Sequence, residues 1–246
     1  MGRQHVEAYR HLGITPVRGQ ADIVSIASPD NTHGKYVIDA LDAGAHVFCE
    51  KPLCTTLRDF KEIYKRAGKK HIRQNFPLRY QPIFKDLKNN LESFGDIYRI
   101  EASYNWGRTQ KLNETWRKTD PEYSLVMGGM IHMIDLVLWM TGLDMDPMKV
   151  LGCNMSAPAF KGPDTVTALC KMSNGGICVF TVDGGKGVSR HNHRLTLHGT
   201  KRGRTVANHE PTDKQAAIRD FVKNIYAPPT HDLESVAMAL EIDQWV

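Results

Sequence analysis

Two short segments of the sequence combine side chains that can do acid and base chemistry on a small molecule. Residues 49–53 read "CEKPL", so Glu50 and Lys51 follow an apolar run and Pro52 restricts the backbone of the turn. A lysine ammonium can stabilise negative charge that develops on a reacting oxygen. The second segment, "GGMIHMIDLVLWMTG", contains a histidine, whose ordinary pKa lies near neutrality. Together they could do acid and base chemistry, with a cation to stabilise a charged oxygen and a base to take a proton.

The histidine of the second segment is His132, and Asp135 follows it at helical spacing. Residues three apart lie on one side of a helix, so the aspartate can orient the imidazole or bind a substrate hydroxyl. It can equally be a buried carboxylate bonded to backbone, and these alternatives stay open. Taken alone, His132 would be a core histidine and Lys51 a surface lysine in a turn. Their presence together favours a catalytic pair.

The elements that must position the first segment are strands and helices in alternation. Short apolar runs separated by amphipathic helical patterns predict parallel strands joined by right-handed crossovers. The strands are expected in "DIVSIAS", "AHVFCE" and "HIRQNF", and the helices in "GKYVIDALDAG" and "TTLRDFKEIYKRAGKK". Ligands bind outside the carboxyl ends of such strands. Both "SPDNTH" and "CEKP" lie at carboxyl ends, which predicts a ligand site there.

The second half of the chain has a different pattern. Longer alternating runs predict a largely antiparallel sheet, and Asn174-Gly175-Gly176 between two of them predicts a hairpin. The runs are "DIYRIEASYNW", "KVLGCNMS", "TVTALCKMS", "GICVFTVDGG" and "HRLTLHG". The segment around His132 is apolar on nearly every side, which predicts a buried helix. We place the domain boundary so that residues 1–75 form the first domain and residues 76–246 the second.

Composition limits the classes of function. The chain has 246 residues, 41% of them hydrophobic, which suits one large or two small domains with a proper core. No apolar run approaches the roughly 20 residues of a membrane span. The five cysteines show neither a disulfide framework nor metal-ligand spacing, which predicts a reduced, cytoplasmic protein. The net charge of +5 is spread along the chain, so an anionic cofactor or substrate fits better than nucleic acid.

No metal site is expected. His132 and Asp135 lack a third ligand at a convincing spacing. The same holds for His191, His193 and His198, which lie close together in the sequence.

Four segments carry a resemblance to a known family. They are "VSIASPDNTH", "ALDAGAHVFCEKPL", "RYQP" and "GGMIHMIDLVLWMTG", and they occur in order across most of residues 1–142. They resemble the glucose-fructose oxidoreductase and inositol dehydrogenase (Gfo/Idh/MocA) family of NAD(P)-dependent oxidoreductases. The resemblance implies an α/β plus α+β architecture. A Rossmann-type dinucleotide-binding domain is followed by an open-faced, mostly antiparallel β-sheet domain that holds substrate and mediates oligomerisation.

The resemblance also implies ligands and roles. The cofactor is NAD or NADP, the substrate is a sugar or polyol, and the protein is a homodimer or homotetramer through the second-domain sheet. Lys51 and His132 are implied as catalytic, and Asp135 and Arg79 as substrate-binding. The residues implied at the cofactor are Gly2, Ser28, Pro29, Asn31, Glu50, Lys51 and Pro52. His33 is expected to pack at the start of a helix instead of touching a ligand.

The chain departs from the family pattern at two places. "MGRQHVEAYRHLG" resembles only the tail of a Gly-rich phosphate-binding turn, and too few residues follow it for another strand and helix. Segments are therefore expected to be absent from this sequence, with another such gap in "GTKRGRTVANHEPTD", and the preference for NAD or NADP stays open. Many members carry aspartate four residues before the helix histidine, where this chain has Gly128. We expect Asp135, a hydroxyl such as that of Tyr123, or water to partner His132 instead.

Two other functions remain compatible with the resemblance. One is an NAD-dependent glycoside hydrolase of the same family, and the other is a non-catalytic, ligand-sensing regulator. The presence of both Lys51 and His132 favours an enzyme over the regulator. Nothing in the sequence separates a dehydrogenase from the hydrolase.

Overall fold

The computed structural model describes residues 2–17, 19–121, 123–185, 187 and 192–246. Contacts divide the chain into two compact units. The first unit contains Met1–Tyr80 and Thr212–Ala237, and the second contains Gln81–Pro211 and Met238–Val246. The chain therefore leaves the first unit a few residues beyond the boundary placed from the sequence, and it later returns to that unit.

The helices and strands that the pattern predicts occur in the expected order, together with two helices and one strand that were not predicted. The helices are α1 (Gly2–His11), α2 (His33–Asp42), α3 (Leu57–Arg66), α4 (Pro82–Asn89), α5 (Thr109–Glu114), α6 (Ile131–Thr141), α7 (Ala216–Lys223) and α8 (Glu234–Asp243). The strands are β1 (Ile23–Ile26), β2 (His46–Cys49), β3 (Ile72–Gln74), β4 (Ile97–Asn105), β5 (Met145–Cys153), β6 (Thr165–Met172), β7 (Ile177–Asp183), β8 (Asn192–Gly199) and β9 (Gly203–Asn208). No helix in the described part of the chain is long and apolar enough to cross a membrane.

The first unit is built on a parallel sheet in the order β1-β2-β3, as the sequence predicts. Ile26 pairs with Cys49, and Cys49 pairs with Gln74, so the three carboxyl ends meet at one edge. Helix α3 begins at an N-cap in which the Thr56 hydroxyl accepts a hydrogen bond from the Asp59 amide at 3.1 Å. The turns that follow β1 and β2 are therefore neighbours.

The outer edge of β3 is covered by the returning chain. The Ile72 amide donates to the Thr230 carbonyl at 3.0 Å, and the Asp232 amide donates to the Ile72 carbonyl at 2.9 Å. A covered edge cannot recruit a foreign strand. Residues 230–232 thus complete the first sheet, although they lie far from it in the sequence.

The second unit is built on a six-stranded sheet in the order β5-β6-β7-β4-β8-β9. Neighbouring strands are antiparallel except for β4 and β7, which run parallel. The mostly antiparallel prediction is therefore confirmed, and Gly175, with φ of 89°, lies in the turn between β6 and β7. Strand β9 was not predicted, because Val206 is its one large apolar residue. It lies where a further gap was expected, and it pairs directly with β8.

The predicted buried helix is α6, which is preceded by a π-helical turn at Val126–Met130. A Cβ added to Gly129 would lie 2.9 Å from the Val182 side chain. The turn therefore approaches β7 more closely than a residue with a side chain at position 129 would allow. One face of the sheet is buried, as at Ile100 of β4. The other face is open and carries exposed apolar side chains, namely Leu151, Leu169 and Ile177.

Candidate active site

Two turns at the carboxyl edge of the first sheet are joined by a buried histidine. His33 is fully buried, with Nδ1 2.6 Å from the Pro52 carbonyl oxygen and Nε2 2.9 Å from the Ser28 carbonyl oxygen. Carbonyl oxygens only accept, so both contacts are hydrogen bonds when each ring nitrogen carries a proton. His33 therefore holds the turn after β1 against the turn after β2.

The turn after β1 has its own internal support. The Thr32 hydroxyl lies 2.7 Å from both the Ser28 hydroxyl and the Pro29 carbonyl. Pro29 and Asn31 remain exposed on this turn. The predicted cofactor residues of the first turn are thus on a fixed loop that is open to solvent.

Glu50 is held by two residues that the sequence reasoning missed. Its Oε1 lies 2.9 Å from His5 Nε2 and accepts a hydrogen bond from Asn75 Nδ2, also at 2.9 Å. The other ring nitrogen of His5 contacts the Ser25 hydroxyl at 2.8 Å. The contact of Glu50 with the cofactor stays a prediction. Its Oε1 is already bonded to His5 and Asn75 within the first unit. His5 and Asn75 are polar residues at buried positions, a signal visible only once burial is known.

The charge on Glu50 is stabilised although the residue is largely buried. Burial alone raises the pKa of a carboxyl group. Here the hydrogen bonds from His5 and Asn75, with the positive charges of His5 and Lys51, outweigh burial and hold the pKa of Glu50 below its ordinary value. An ionised Glu50 therefore immediately precedes Lys51, whose peptide bond to Pro52 is cis.

A cavity of about 1060 Å³ lies beside helix α1 and strand β1. Gly2, at the amino terminus of α1, and Ser28, after β1, are both in its lining. A helix amino terminus attracts anions, and the first turn of α1 carries no acidic residue. A Cβ on Gly2 would meet nothing within 4 Å. This part of the unit therefore fits a phosphate-bearing group.

Asn75 supplies a second observation in favour of a ligand at this edge. Its Oδ1 is buried and has no hydrogen-bond partner among the described residues. Its Nδ2 is occupied by Glu50 and by the Lys214 carbonyl. A buried acceptor without a donor is unfavourable, so a donor from a bound molecule would be stabilising.

Arg79 takes part in an ion-pair network of the first unit. Its NH1 lies 3.0 Å from Asp232 Oδ1, while Arg73 Nε donates to Asp232 Oδ2 at 3.1 Å. The Gln74 amide donates to the same Oδ2 at 2.8 Å. These contacts fasten the returning segment to β3. A role of Arg79 in substrate binding remains a prediction.

His132 lies against two aromatic rings of the second unit. Its ring meets that of Tyr104 edge-on at 5.9 Å and that of His193 at 6.3 Å. Tyr104 and His193 are cross-strand partners and stack at 4.1 Å. Burial raises the pKa of Tyr104 to about 12. The imidazole therefore faces titratable rings, and the alternation of β4 and β8 was the signal that could have placed them.

The remaining predicted residues are placed as follows. Asp135 is 1% exposed within α6. Lys51 belongs to the first unit and His132 to the second, so their convergence on one substrate stays a prediction. His191 lies outside the described residues. Among the residues that are described, no group of three or more His, Cys, Asp or Glu side chains could hold a metal ion.

A three-stranded parallel sheet with a phosphate-compatible helix end, followed by a unit on an open mixed sheet, defines a two-unit nucleotide-binding fold. Residues 3–75 match the family described as "Oxidoreductase family, NAD-binding Rossmann fold", and residues 90–203 match the "GFO/IDH/MocA C-terminal domain". The chain belongs to the GFO/IDH/MocA oxidoreductase family.

Several known proteins are similar to this chain. Uncharacterized oxidoreductase YrbE of Bacillus subtilis is 27% identical over 215 residues, which cover 82% of this chain and 60% of YrbE. An inositol 2-dehydrogenase of Acidothermus cellulolyticus is 32% identical over 146 residues, 58% of this chain and 41% of that protein. The chain thus spans at most 60% of the length of these two relatives. The crystal structure of myo-inositol 2-dehydrogenase from Lactobacillus plantarum has the same fold, with a TM-score of 0.78 at 20% identity over 97% of this chain and 84% of that one.

Proposed function

We propose that this protein is an NAD(P)-dependent oxidoreductase that transfers hydride between nicotinamide and a carbinol of a sugar, a polyol or a related substrate. The observation that carries the proposal is the position of Lys51. It follows the strand end at the carboxyl edge of the sheet, between Glu50, which is bonded to His5 and Asn75, and Pro52, whose carbonyl contacts His33. Family membership and the names of the relatives, among them an inositol 2-dehydrogenase, support the reaction class.

The first unit would hold the cofactor through its carboxyl edge. The amino terminus of α1 at Gly2 suits the phosphates, and the turns at Ser28–Asn31 and Glu50–Pro52 suit the ribose and nicotinamide end. Bound NAD or NADP supplies the hydride acceptor for oxidation and the donor for reduction. The residues of these turns would position that group.

Lys51 and His132 have different roles at the substrate hydroxyl. The Lys51 ammonium donates a hydrogen bond to the substrate oxygen, and its charge stabilises the alkoxide that develops. The His132 imidazole takes the hydroxyl proton in oxidation and returns it in reduction. Asp135 and Arg79 are proposed to bind the substrate. This division requires the two units to present Lys51 and His132 to one molecule.

The assembly and location belong to the same proposal. The open face of the second sheet carries exposed Leu151, Leu169 and Ile177, which suit burial against a second copy in a homodimer or homotetramer. All five cysteines are free, which fits the reducing conditions of the cytoplasm.

A panel of sugars and polyols with NAD and NADP tests the function. We expect reduced nicotinamide to accumulate with at least one polyol or sugar, at a rate that depends on the substrate concentration. Release of a free sugar from a glycoside without net cofactor reduction would replace the dehydrogenase with the hydrolase. Ligand binding without turnover across the panel would overturn the enzyme assignment in favour of a regulator.

A further inference from the structure

Tyr123 and Gly128 form a close packing pair in the second unit. Gly128 lies in the π-helical turn Val126–Met130, and a Cβ added to it would stand 2.6 Å from Cζ and 2.8 Å from Cε2 of Tyr123, with the hydroxyl oxygen nearer still. Real Cβ atoms do not approach neighbours this closely. The phenol of Tyr123 therefore occupies the space that a side chain at position 128 would take.

Helix geometry relates this space to the imidazole of His132. Side chains on a helix lean back toward its amino terminus, so a residue covers the surface over the preceding turn. Position 128 lies four residues before His132, so the space that the Tyr123 phenol fills is on the side of the helix toward which the imidazole leans. The hydroxyl end of Tyr123 and the His132 ring thus share one patch of helix surface.

Tyr123 is fixed in this position by packing. It is 7% exposed, and its ring meets those of Trp116 at 5.4 Å and Phe160 at 5.9 Å. The next residue, Ser124, accepts a hydrogen bond from the Met127 amide at 3.0 Å and so ties the segment to the start of the helix. The hydroxyl is therefore held at the patch and does not sample solvent freely.

Other titratable groups surround the same helix face. Tyr104 on β4 and His193 on β8 pack edge-on against His132, and Asp135 lies on its own helix. Burial raises the pKa of Tyr104 to about 12, with Arg108 opposing the rise and Tyr123 adding to it. From α4, Lys88 bonds to the Trp139 carbonyl, further along α6. Tyr123 thus lies near the ring of Tyr104, which packs against His132.

We propose that Tyr123 is a positioning residue for His132. The missing side chain at Gly128 admits the Tyr123 hydroxyl, and this hydroxyl supports the imidazole while it exchanges the substrate proton. The inference rests on the proposed function, in which His132 exchanges the substrate proton. It names Tyr123 as the residue that tunes this exchange.

The Tyr123→Phe variant tests the hydroxyl alone, because the ring and its packing remain. We expect kcat to fall about tenfold and the limb of the kcat/KM profile that reports His132 to move by about half a pH unit or more. The cofactor KM should stay within about twofold of wild type. Tyr226→Phe, at a side chain that is 99% exposed, is the matched control. A Tyr123→Phe enzyme with the wild-type pH profile overturns the inference.

Gly128→Ala tests the packing pair from the other side. The new methyl group would collide with the phenol, so we expect Gly128→Ala to lower the Tm. In a Tyr123→Ala background the collision is gone, and the same change should leave the Tm unchanged or raise it, since alanine favours a helix over glycine. Equal effects in the two backgrounds would show that the phenol does not fill this space.

A titration of the His132 ring by NMR separates this inference from the proposed function. The His132→Gln variant assigns its signal among the 11 histidines. We expect Tyr123→Phe to shift the His132 pKa by about half a unit or more, with or without a known substrate. If wild type oxidises no alcohol, the proposed function fails while this measurement still decides about Tyr123. An unchanged His132 titration overturns the positioning role even in an active enzyme.

Discussion

Lys51 lies between two residues whose own partners are fixed. Glu50 is bonded to His5 and Asn75, and the Pro52 carbonyl contacts buried His33. The backbone on both sides of Lys51 is therefore restrained. Because the side chain starts from a restrained backbone position, the places that its ammonium can reach are limited. Preorganised charge of this kind stabilises a transition state without a reorganisation cost at the moment of reaction.

Lys51→Ala should lower turnover by about 100-fold or more, because it removes charge aimed at the developing alkoxide. Cofactor affinity should remain close to wild type, as measured by quenching of protein fluorescence. Lys61→Ala, at an exposed lysine of α3, is the control and should leave turnover unchanged. A fully active Lys51→Ala enzyme would end the catalytic assignment.

Glu50→Gln should change the pH dependence of stability. The pKa of Glu50 is lowered in the folded state, so its contribution is present above the unfolded pKa of about 4.3 and is lost as the pH falls through the folded value. At pH 7 the free energy of unfolding should drop by about 1–3 kcal/mol, and the difference should shrink in acid. Thermal unfolding of both proteins across this range is the measurement. A constant difference at every pH would show that the charge of Glu50 is not what stabilises the fold.

At the scale of elements, His33 couples two turns that different strands deliver. It stands at the start of α2, as the sequence predicts, and it reaches the carbonyls of Ser28 and Pro52 from there. Separation of the two turns would break the contacts that His33 makes with these carbonyls. The turn after β1 and the turn after β2 are therefore held together by one side chain.

His33→Ala should therefore weaken both stability and cofactor binding. Loss of two buried contacts and of the ring volume should lower the free energy of unfolding by about 2–4 kcal/mol. Chemical denaturation and a cofactor titration measure the two effects. His11→Ala, at an exposed position near the end of α1, serves as the control. A stability loss with wild-type cofactor affinity would contradict the coupling of the two turns.

At the scale of the whole molecule, the second unit leaves one sheet face uncovered. Leu151 and Leu169, 65% and 39% exposed, lie on neighbouring strands of that face. Polar side chains lie beside them on the same face, since Thr167 is the pairing partner of Leu151 and Lys149 is that of Leu169. A broad, half-apolar sheet face is suited to a second copy of the same chain.

In the double variant Leu151→Glu with Leu169→Glu, the molar mass of the assembly in solution should be lower than in wild type. Charges buried between two sheets would cost more than the interface supplies, so we expect a smaller species by light scattering. Leu57→Glu, at a comparably exposed leucine of the first unit, should leave the mass unchanged. A wild-type protein that is monomeric at high concentration would refute this part of the proposal.

Much of the fold could be predicted because local patterns of apolar and polar residues indicate its strands and helices. The parallel half follows from short apolar runs between helical patterns, and the hairpin at Gly175 follows from the residues of its turn. Strand β9 was missed because Val206 alone carries its apolar signal. The site was predictable where a strand ends in a distinctive turn, as at Lys51, and not where polar side chains meet across the sheet.

The sequence by itself determined the parallel strands and helices of the first half, the family, and the strand end and buried helix that carry Lys51 and His132, because each depends on neighbours along the chain. Only the tertiary structure decided that Glu50 bonds to His5, that Arg79 pairs with Asp232, and that the chain returns to the first unit at Thr212. These contacts join residues far apart in sequence, and their energies depend on burial and distance. No local pattern encodes burial and distance, since both arise only when separate segments pack together.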